Sequence, residues 1–204
     1  ITAGSAATLR GKLLQLCNGA VYDEDGNVIT VHDCKIEALL ETVDSAKARG
    51  AETLCRVTGY GMAHGSVPFG KVTGSAAGLT AAVEAALDDA HLTASDIDAI
   101  VGFANGHSAL DAVEAEGLSK CFDLSRIPVI SVKERAGEGR AASATLGLAH
   151  AALMLHGDLA EEPDAYLAAA DGMKKVGVKS ADLSRILVVS FAAGGSYTAI
   201  VAER

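Results

Sequence analysis

Residues 97–114 read IDAIVGFANGHSALDAVE, and this stretch decides the fold. Its first part, 97–103, is a short, nearly continuous apolar run. That is the pattern of a strand buried on both faces, where alternation is not needed. From Asp111 to Phe122 the apolar residues recur at helical spacing, which predicts an amphipathic helix. Between them lies a loop containing His107. A buried strand feeding a helix through a short loop is the building block of α/β architecture.

The pattern repeats outward from there. Upstream, 53–60 alternates as a strand and 73–91 is a strongly amphipathic helix. Downstream, 127–132 reads as a strand, 141–155 as an Ala-rich helix, and 184–192 and 197–201 as strands around Gly194-Gly195. These last two are expected to form an antiparallel hairpin. Nearer the N-terminus, 5–18 predicts a helix ending at Asn18-Gly19. A turn at 23–27 and a short strand at 28–31 follow. Residues 34–41 are ambiguous between strand and helix, 46–50 read as a helix end, and 163–177 is the least regular segment. The expectation is an α/β domain spanning 1–204 with a mixed five-stranded sheet. Helix 141–155 carries no charge apart from His150. A helix apolar all round must be covered on every side, so another layer of protein is expected to pack over it.

Composition narrows the function. The 204 residues carry a net charge of −9, which gives no electrostatic reason to hold a phosphate backbone. No apolar run reaches the ~20 residues of a membrane span, and the expected location is cytoplasmic. Cys17, Cys34, Cys55 and Cys121 form no C-x-x-C pair, so they read as reduced, mostly buried small hydrophobes. No histidine stands at helical spacing from a second histidine or a cysteine, so no metal site is expected. Gly137-Glu138-Gly139 follows a strand and precedes a helix. It lacks the third glycine of a dinucleotide turn, and Glu138 would repel a pyrophosphate.

Among single residues, His107 is the histidine in the loop position where an α/β site would lie, yet no nucleophile is adjacent in sequence. Lys133 sits beside Glu134 and Arg135. It reads either as part of a solvated charge cluster or as a buried lysine pairing Asp111 or Glu114. Those two acids stand near a helix start, where capping alone would account for Asp111.

Taken together, 97–114 resembles the β-ketoacyl synthase stretch in which a strand ends at His-Gly-Thr-Gly-Thr and the next helix carries Asp and Glu. Asp111 and Glu114 fall on that Asp and Glu. The family's catalytic His falls on Phe103, and its Gly-Thr-Gly-Thr on Ala104, Asn105, Gly106 and His107. Residues 131–144, SVKERAGEGRAASA, resemble its Ser-x-Lys-x-x-x-Gly-His. Ser131, Lys133 and Gly137 match, and the second catalytic His falls on Glu138. Residues 189–200, VSFAAGGSYTAI, resemble Asn-Ser-Phe-Gly-Phe-Gly-Gly-Thr-Asn. Ser190, Phe191, Gly194 and Gly195 match, and the family's gating Phe falls on Ala193. The likeness runs from about residue 25 to 204 and includes 45–61. It implies the second half of a thiolase-like fold with αβαβα layers, in which helix 141–155 packs at the centre between two halves.

The departures shape the functional expectation. Synthases of this family use a Cys nucleophile from the first half and two histidines from the second. Phe103 cannot donate a hydrogen bond, and an ionised Glu138 opposes a developing anion. No Cys here sits in a nucleophile motif. The resemblance therefore implies a non-catalytic chain length factor-like subunit of type II polyketide or fatty-acid-like biosynthesis. Such a subunit would form a heterodimer with a full-length β-ketoacyl synthase and complete its acyl tunnel. The tunnel and scaffold candidates are Lys133, Asp111, Glu114, His107, Phe191, Ala193, Gly194 and Gly195. It implies no cofactor of its own, because substrates ride on the phosphopantetheine of an acyl carrier protein. Two alternatives stand beside it. One is the C-terminal chain of a split β-ketoacyl-ACP synthase, with His107 in place of the lost histidine. The other is a structural module that stabilises a synthase without shaping its tunnel.

Overall fold

The computed structural model describes residues 20–22, 28–30, 42–68, 73–139, 142–169, 172–192 and 194–204. The helix expected over 5–18, the turn at 23–27, residues 34–41 and Ala193 lie outside the described residues. The chain divides into two compact units, Ile1–Glu52 and Thr53–Arg204. In the first, β1 (Ala20–Tyr22) pairs antiparallel with β2 (Val28–Thr30). Helix α1 (Val43–Ala48) begins at Thr42, whose hydroxyl accepts from the Ser45 N–H.

The second unit carries the site. In chain order it contains β3 (Arg56–His64), α2 (Ala76–Asp89), β4 (Ala99–Val101), α3 (Ser108–Leu118), β5 (Val129–Ile130) and α4 (Val132–Ala136). After these come α5 (Ser143–His156), β6 (Glu161–Ala169), β7 (Gly172–Lys179), β8 (Arg185–Ala192) and β9 (Ser196–Glu203). The strands form one sheet in the order β3-β9-β8-β4-β5-β6-β7. β4 runs parallel to β5 and β8, and the other neighbours are antiparallel.

The sheet thus has seven strands where five were expected. The added pair, β6 and β7, comes from the segment read as irregular. Charged side chains on these strands, including Glu161, Lys174, Lys175 and Lys179, obscure the alternation on which strand recognition depends. The expected hairpin at the C-terminus is present. Ala192 pairs with Ser196 across the turn, and Gly194 and Gly195 have φ of 93° and 88°, a left-handed region that glycine enters without steric cost.

Two apolar clusters lie on opposite sides of the sheet. Leu79, Val83, Ala86 and Leu118 of α2 and α3 pack against Ile100, Leu187 and Val201 on one side. On the other, Ala151, Met154 and Leu155 of α5 pack against Val101, Ile186 and Val188. Alternation along the strands explains the division. On β3, Gly59 and Gly61 face α2 so closely that a Cβ on either would meet helix backbone.

Helix α5 is not buried all round within this unit. Gly147, His150, Ala151, Met154 and Leu155 are covered, whereas Thr145, Leu146 and Ala149 are exposed. Tyr60 and Met62 on β3 are exposed too, and they pair with Ile200 and Thr198 of β9. Cross-strand partners point to the same face, and Ile200 belongs to the α5-side cluster. An apolar helix flank and an apolar strand segment therefore open on one side of the sheet.

Candidate functional site

The C-terminal end of β4 opens into the loop 102–107, as expected for an α/β site. The loop is held from below by Glu114. This glutamate is buried on α3, and its two carboxylate oxygens accept the N–H groups of Phe103 (2.6 Å) and Ala104 (2.8 Å). Burial pushes the Glu114 carboxyl up to about 7, against the pull of those two hydrogen bonds. Ala104 has φ of 34°, a left-handed conformation that disfavours a side chain. It stands where the resemblance places a glycine.

Capping does not account for Asp111. The N-cap of α3 is His107, whose carbonyl accepts from Leu110 (2.8 Å) and Asp111 (2.9 Å). Its side chain caps nothing and is exposed, and its N–H donates to Asn105 Oδ1 at 3.0 Å. Oδ1 of Asp111 is buried without a hydrogen-bond partner.

Phe103 occupies the position at which the resemblance places a catalytic imidazole. Its ring stacks on Phe191, with centroids 4.6 Å apart and planes 4° from parallel. Phe191 in turn meets Tyr197 edge-on at 5.1 Å. Tyr197 is buried, and its hydroxyl accepts the Ser75 N–H at the start of α2. The Lys133 ammonium lies 3.2 Å from the Phe103 ring centroid, a cation–π contact in a largely desolvated setting.

The Lys133 side chain is 10% exposed. Its ion pair among the described residues is with Glu138 at 3.0 Å, not with the Asp111 or Glu114 weighed from sequence. Glu138 also accepts the Ser143 hydroxyl at 2.6 Å. Both positions at which the resemblance places an imidazole are thus tied to one lysine. The gap beside Phe103, Lys133, Ser143 and Ser190 has a volume of about 10 Å³, the room of a single water and no more.

A second buried cluster escaped the sequence reading. Glu162 of β6, 1% exposed, joins Arg135 of α4 and, at 2.9 Å, His150 Nε2 of α5. Burial holds the His150 ring below its usual range, opposed by the Glu162 charge. The cluster ties the unexpected hairpin to the two helices after β5. Tyr197 was also missed, although it stands at the Asn of the pattern matched at 189–200. Phe191, Gly194 and Gly195 are placed together at this turn, while Ala193 lies outside the described residues. Cys55 and Cys121 are free and half-buried, with thiols pushed up by burial. Among the described residues no group of His, Cys, Asp or Glu could hold a metal ion, and no helix is long and apolar enough to cross a membrane.

The family model for the β-ketoacyl synthase C-terminal domain matches residues 54–162. The chain is 34% identical over 116 residues to the tetracenomycin polyketide synthase ketoacyl synthase beta subunit of Streptomyces glaucescens, covering 56% of this chain and 28% of that one. It is 34% identical over 85 residues to nodulation protein E of Rhizobium sp. (strain N33), covering 42% and 21%. Among solved structures, the ishigamide ketosynthase/chain length factor superposes with a TM-score of 0.68 at 21% identity, over 80% of this chain and 41% of that one. A β-ketoacyl synthase from Burkholderia phymatum STM815 gives 0.66 at 21%, again over 80% and 41%. The chain thus spans less than a third of these curated relatives. Matching motifs, a seven-stranded mixed sheet of thiolase-like form and a family model covering more than half of the residues agree: the chain belongs to the β-ketoacyl synthase C-terminal domain family.

Proposed function

We propose that this chain is the C-terminal part of a non-catalytic, chain length factor-like subunit. In this reading it pairs with an active β-ketoacyl synthase and completes the acyl tunnel without performing the condensation. One observation carries it. Phe103 stands where the family holds an imidazole and is fixed between Phe191 and the Lys133 ammonium, and the gap beside it has a volume of about 10 Å³. Decarboxylation and condensation need hydrogen-bond donors aimed at a developing oxyanion. A phenyl ring offers none, and a carboxylate at Glu138 works against the charge. The Lys133 cation is committed to the Phe103 ring and to Glu138.

The sequence likeness to a ketoacyl synthase beta subunit supports this reading. The fold likeness is compatible with it. The exposed apolar side beside α5 supplies a surface for a further layer of protein. Substrates would arrive on the phosphopantetheine of an acyl carrier protein.

The test is co-expression with a full-length ketosynthase, with mass and stoichiometry read by light scattering. A one-to-one heteromer is expected, and a chain that stays monomeric beside the synthase contradicts the reading. Within the assembled complex, Ala193→Phe is expected to shift products toward shorter chains. An unchanged product length would favour a structural module that does not shape the tunnel.

The Glu114 carboxyl gives a prediction that is independent of the partner. Its folded value of about 7 lies above its ordinary value of 4.5. The folded state therefore binds the proton more tightly, so this contribution is fully present below pH 4.5 and is lost as pH rises through 7. Between pH 5 and pH 8 the loss from this group is about 2 kcal/mol. Denaturant unfolding of the native chain and of Glu114→Gln at the two pH values isolates it. The difference between the two proteins should change by about that amount, and an equal pH response in both would show that Glu114 does not titrate in this range.

A further inference from the structure

Helix α4 carries three consecutive charged residues, and each is committed to a different part of the fold. Lys133 lies 3.2 Å from the Phe103 ring centroid and pairs with Glu138. Glu134 accepts the Tyr166 hydroxyl of β6 and stands 3.4 Å from the Lys175 ammonium of β7. Arg135 reaches the buried Glu162 of β6, and His150 of α5 lies 2.9 Å from the same carboxylate oxygen without a hydrogen bond. One short helix thus grips the β6–β7 hairpin at two points and the Phe103 position at a third.

Little else fixes these pieces. α4 has no buried residue, and five residues are far too few to hold a helix without tertiary contacts. The side-chain pairings therefore set its position. The hairpin joins the rest of the sheet through only two residue pairs, Val129 with Tyr166 and Ile130 with Ala165. Segments attached by so few ladder bonds open at lower free energy than central strands such as β8. Removing one partner of a buried ion pair leaves the other uncompensated, so the Arg135–Glu162 contact is the point at which the attachment is most easily undone.

We propose that α4 and the β6–β7 hairpin open and close as one unit, latched by Arg135 on Glu162, and that this unit sets whether Lys133 sits on Phe103. With the hairpin docked, the ammonium is held over the ring. With the latch open, α4 shifts and the ammonium leaves it. This coupling does not depend on the partner-subunit reading.

The experiment is nuclear magnetic resonance of the full chain, with two readouts. In native-state hydrogen exchange, the amides of α4 and of β6–β7 should share one opening, with one denaturant dependence and at lower free energy than β8 and β9. The ε-protons of Lys133 should resonate upfield, because the face of the Phe103 ring shields them. Glu162→Gln should speed exchange in α4 and the hairpin at least ten-fold and move the Lys133 signal toward its free position. Arg135 is 45% exposed, so it can turn to water in that variant, and Arg135→Gln cuts the same latch from the exposed side. Native exchange rates in α2 and β3 establish that each variant is folded. Amides of α4 that exchange apart from the hairpin in the native chain would overturn the proposal. So would a Lys133 signal, or hairpin exchange, unmoved in either folded variant.

Discussion

Replacing Gly61 by valine is expected to lower the thermal unfolding midpoint by roughly 10 °C, or to prevent folding altogether. A Cβ at Gly61 would overlap the carbonyl oxygen of Ala82 and stand 2.5 Å from the Ala86 nitrogen. Both atoms are helix backbone, so no side-chain rotation relieves the clash, and β3 and α2 must separate. Separation opens the cluster in which Leu79, Ala82, Val83 and Ala86 are fully buried. Overpacking of ordinary cores costs about 1–3 kcal/mol, but there a side chain can yield. With only backbone in the way, a loss of about 4 kcal/mol or more is expected. The neighbouring Tyr60→Val, on the exposed face of the same strand, serves as the control and should stay within about 0.5 kcal/mol. A Gly61→Val protein with an unchanged midpoint would mean that β3 and α2 are not packed as described.

The second large effect concerns assembly. Leu146 is 41% exposed on α5 and Met62 is 64% exposed on β3, both on the side of the sheet left open by α5. If a partner layer covers this side, the double variant Leu146→Glu, Met62→Glu buries two unpaired carboxylates on association. Desolvating them costs several kcal/mol, so affinity for the synthase is expected to fall at least a thousand-fold, or about 4 kcal/mol. Unfolding of the isolated chain should barely change, because both positions are exposed in it. Undiminished association of the double variant would place the interface elsewhere.

These predictions rest on features of unequal legibility. The strand–loop–helix at 97–114 was readable because a buried strand leaves an apolar run and α3 leaves a helical period. The Gly194-Gly195 hairpin was readable because turn geometry demands those residues. Helix α4 was hidden: its five residues hold three charges and give no period to detect. The β6–β7 hairpin was hidden for a related reason. Glu162 is buried only because Arg135 and His150, from two other elements, meet it, and pairing of that kind is invisible along the sequence.

The site shows the same division. Phe103 and Glu138 were legible as departures from the pattern the sequence resembles, which places imidazoles there. The contacts these two residues make were not. The stack of Phe103 on Phe191, which meets Tyr197 edge-on, and the Lys133 contact with Phe103 and Glu138 join residues up to 88 positions apart. Capping was the wrong account of Asp111 because His107 is the N-cap of α3, which leaves Asp111 inside the first turn with Oδ1 buried and without a hydrogen bond.

The central claim is that this chain supports condensation without performing it. It is tested most directly by decarboxylation of malonyl carrier protein in the assembled complex, comparing the native chain with His107→Ala. His107 is the histidine of the β4–α3 loop, and its exposed side chain makes no cap bond, so the substitution leaves the fold intact. The account predicts turnover within two-fold of the native complex. A loss of a hundred-fold or more, about 2.7 kcal/mol of transition-state stabilisation, would show that this chain supplies a catalytic group and is half of a divided enzyme.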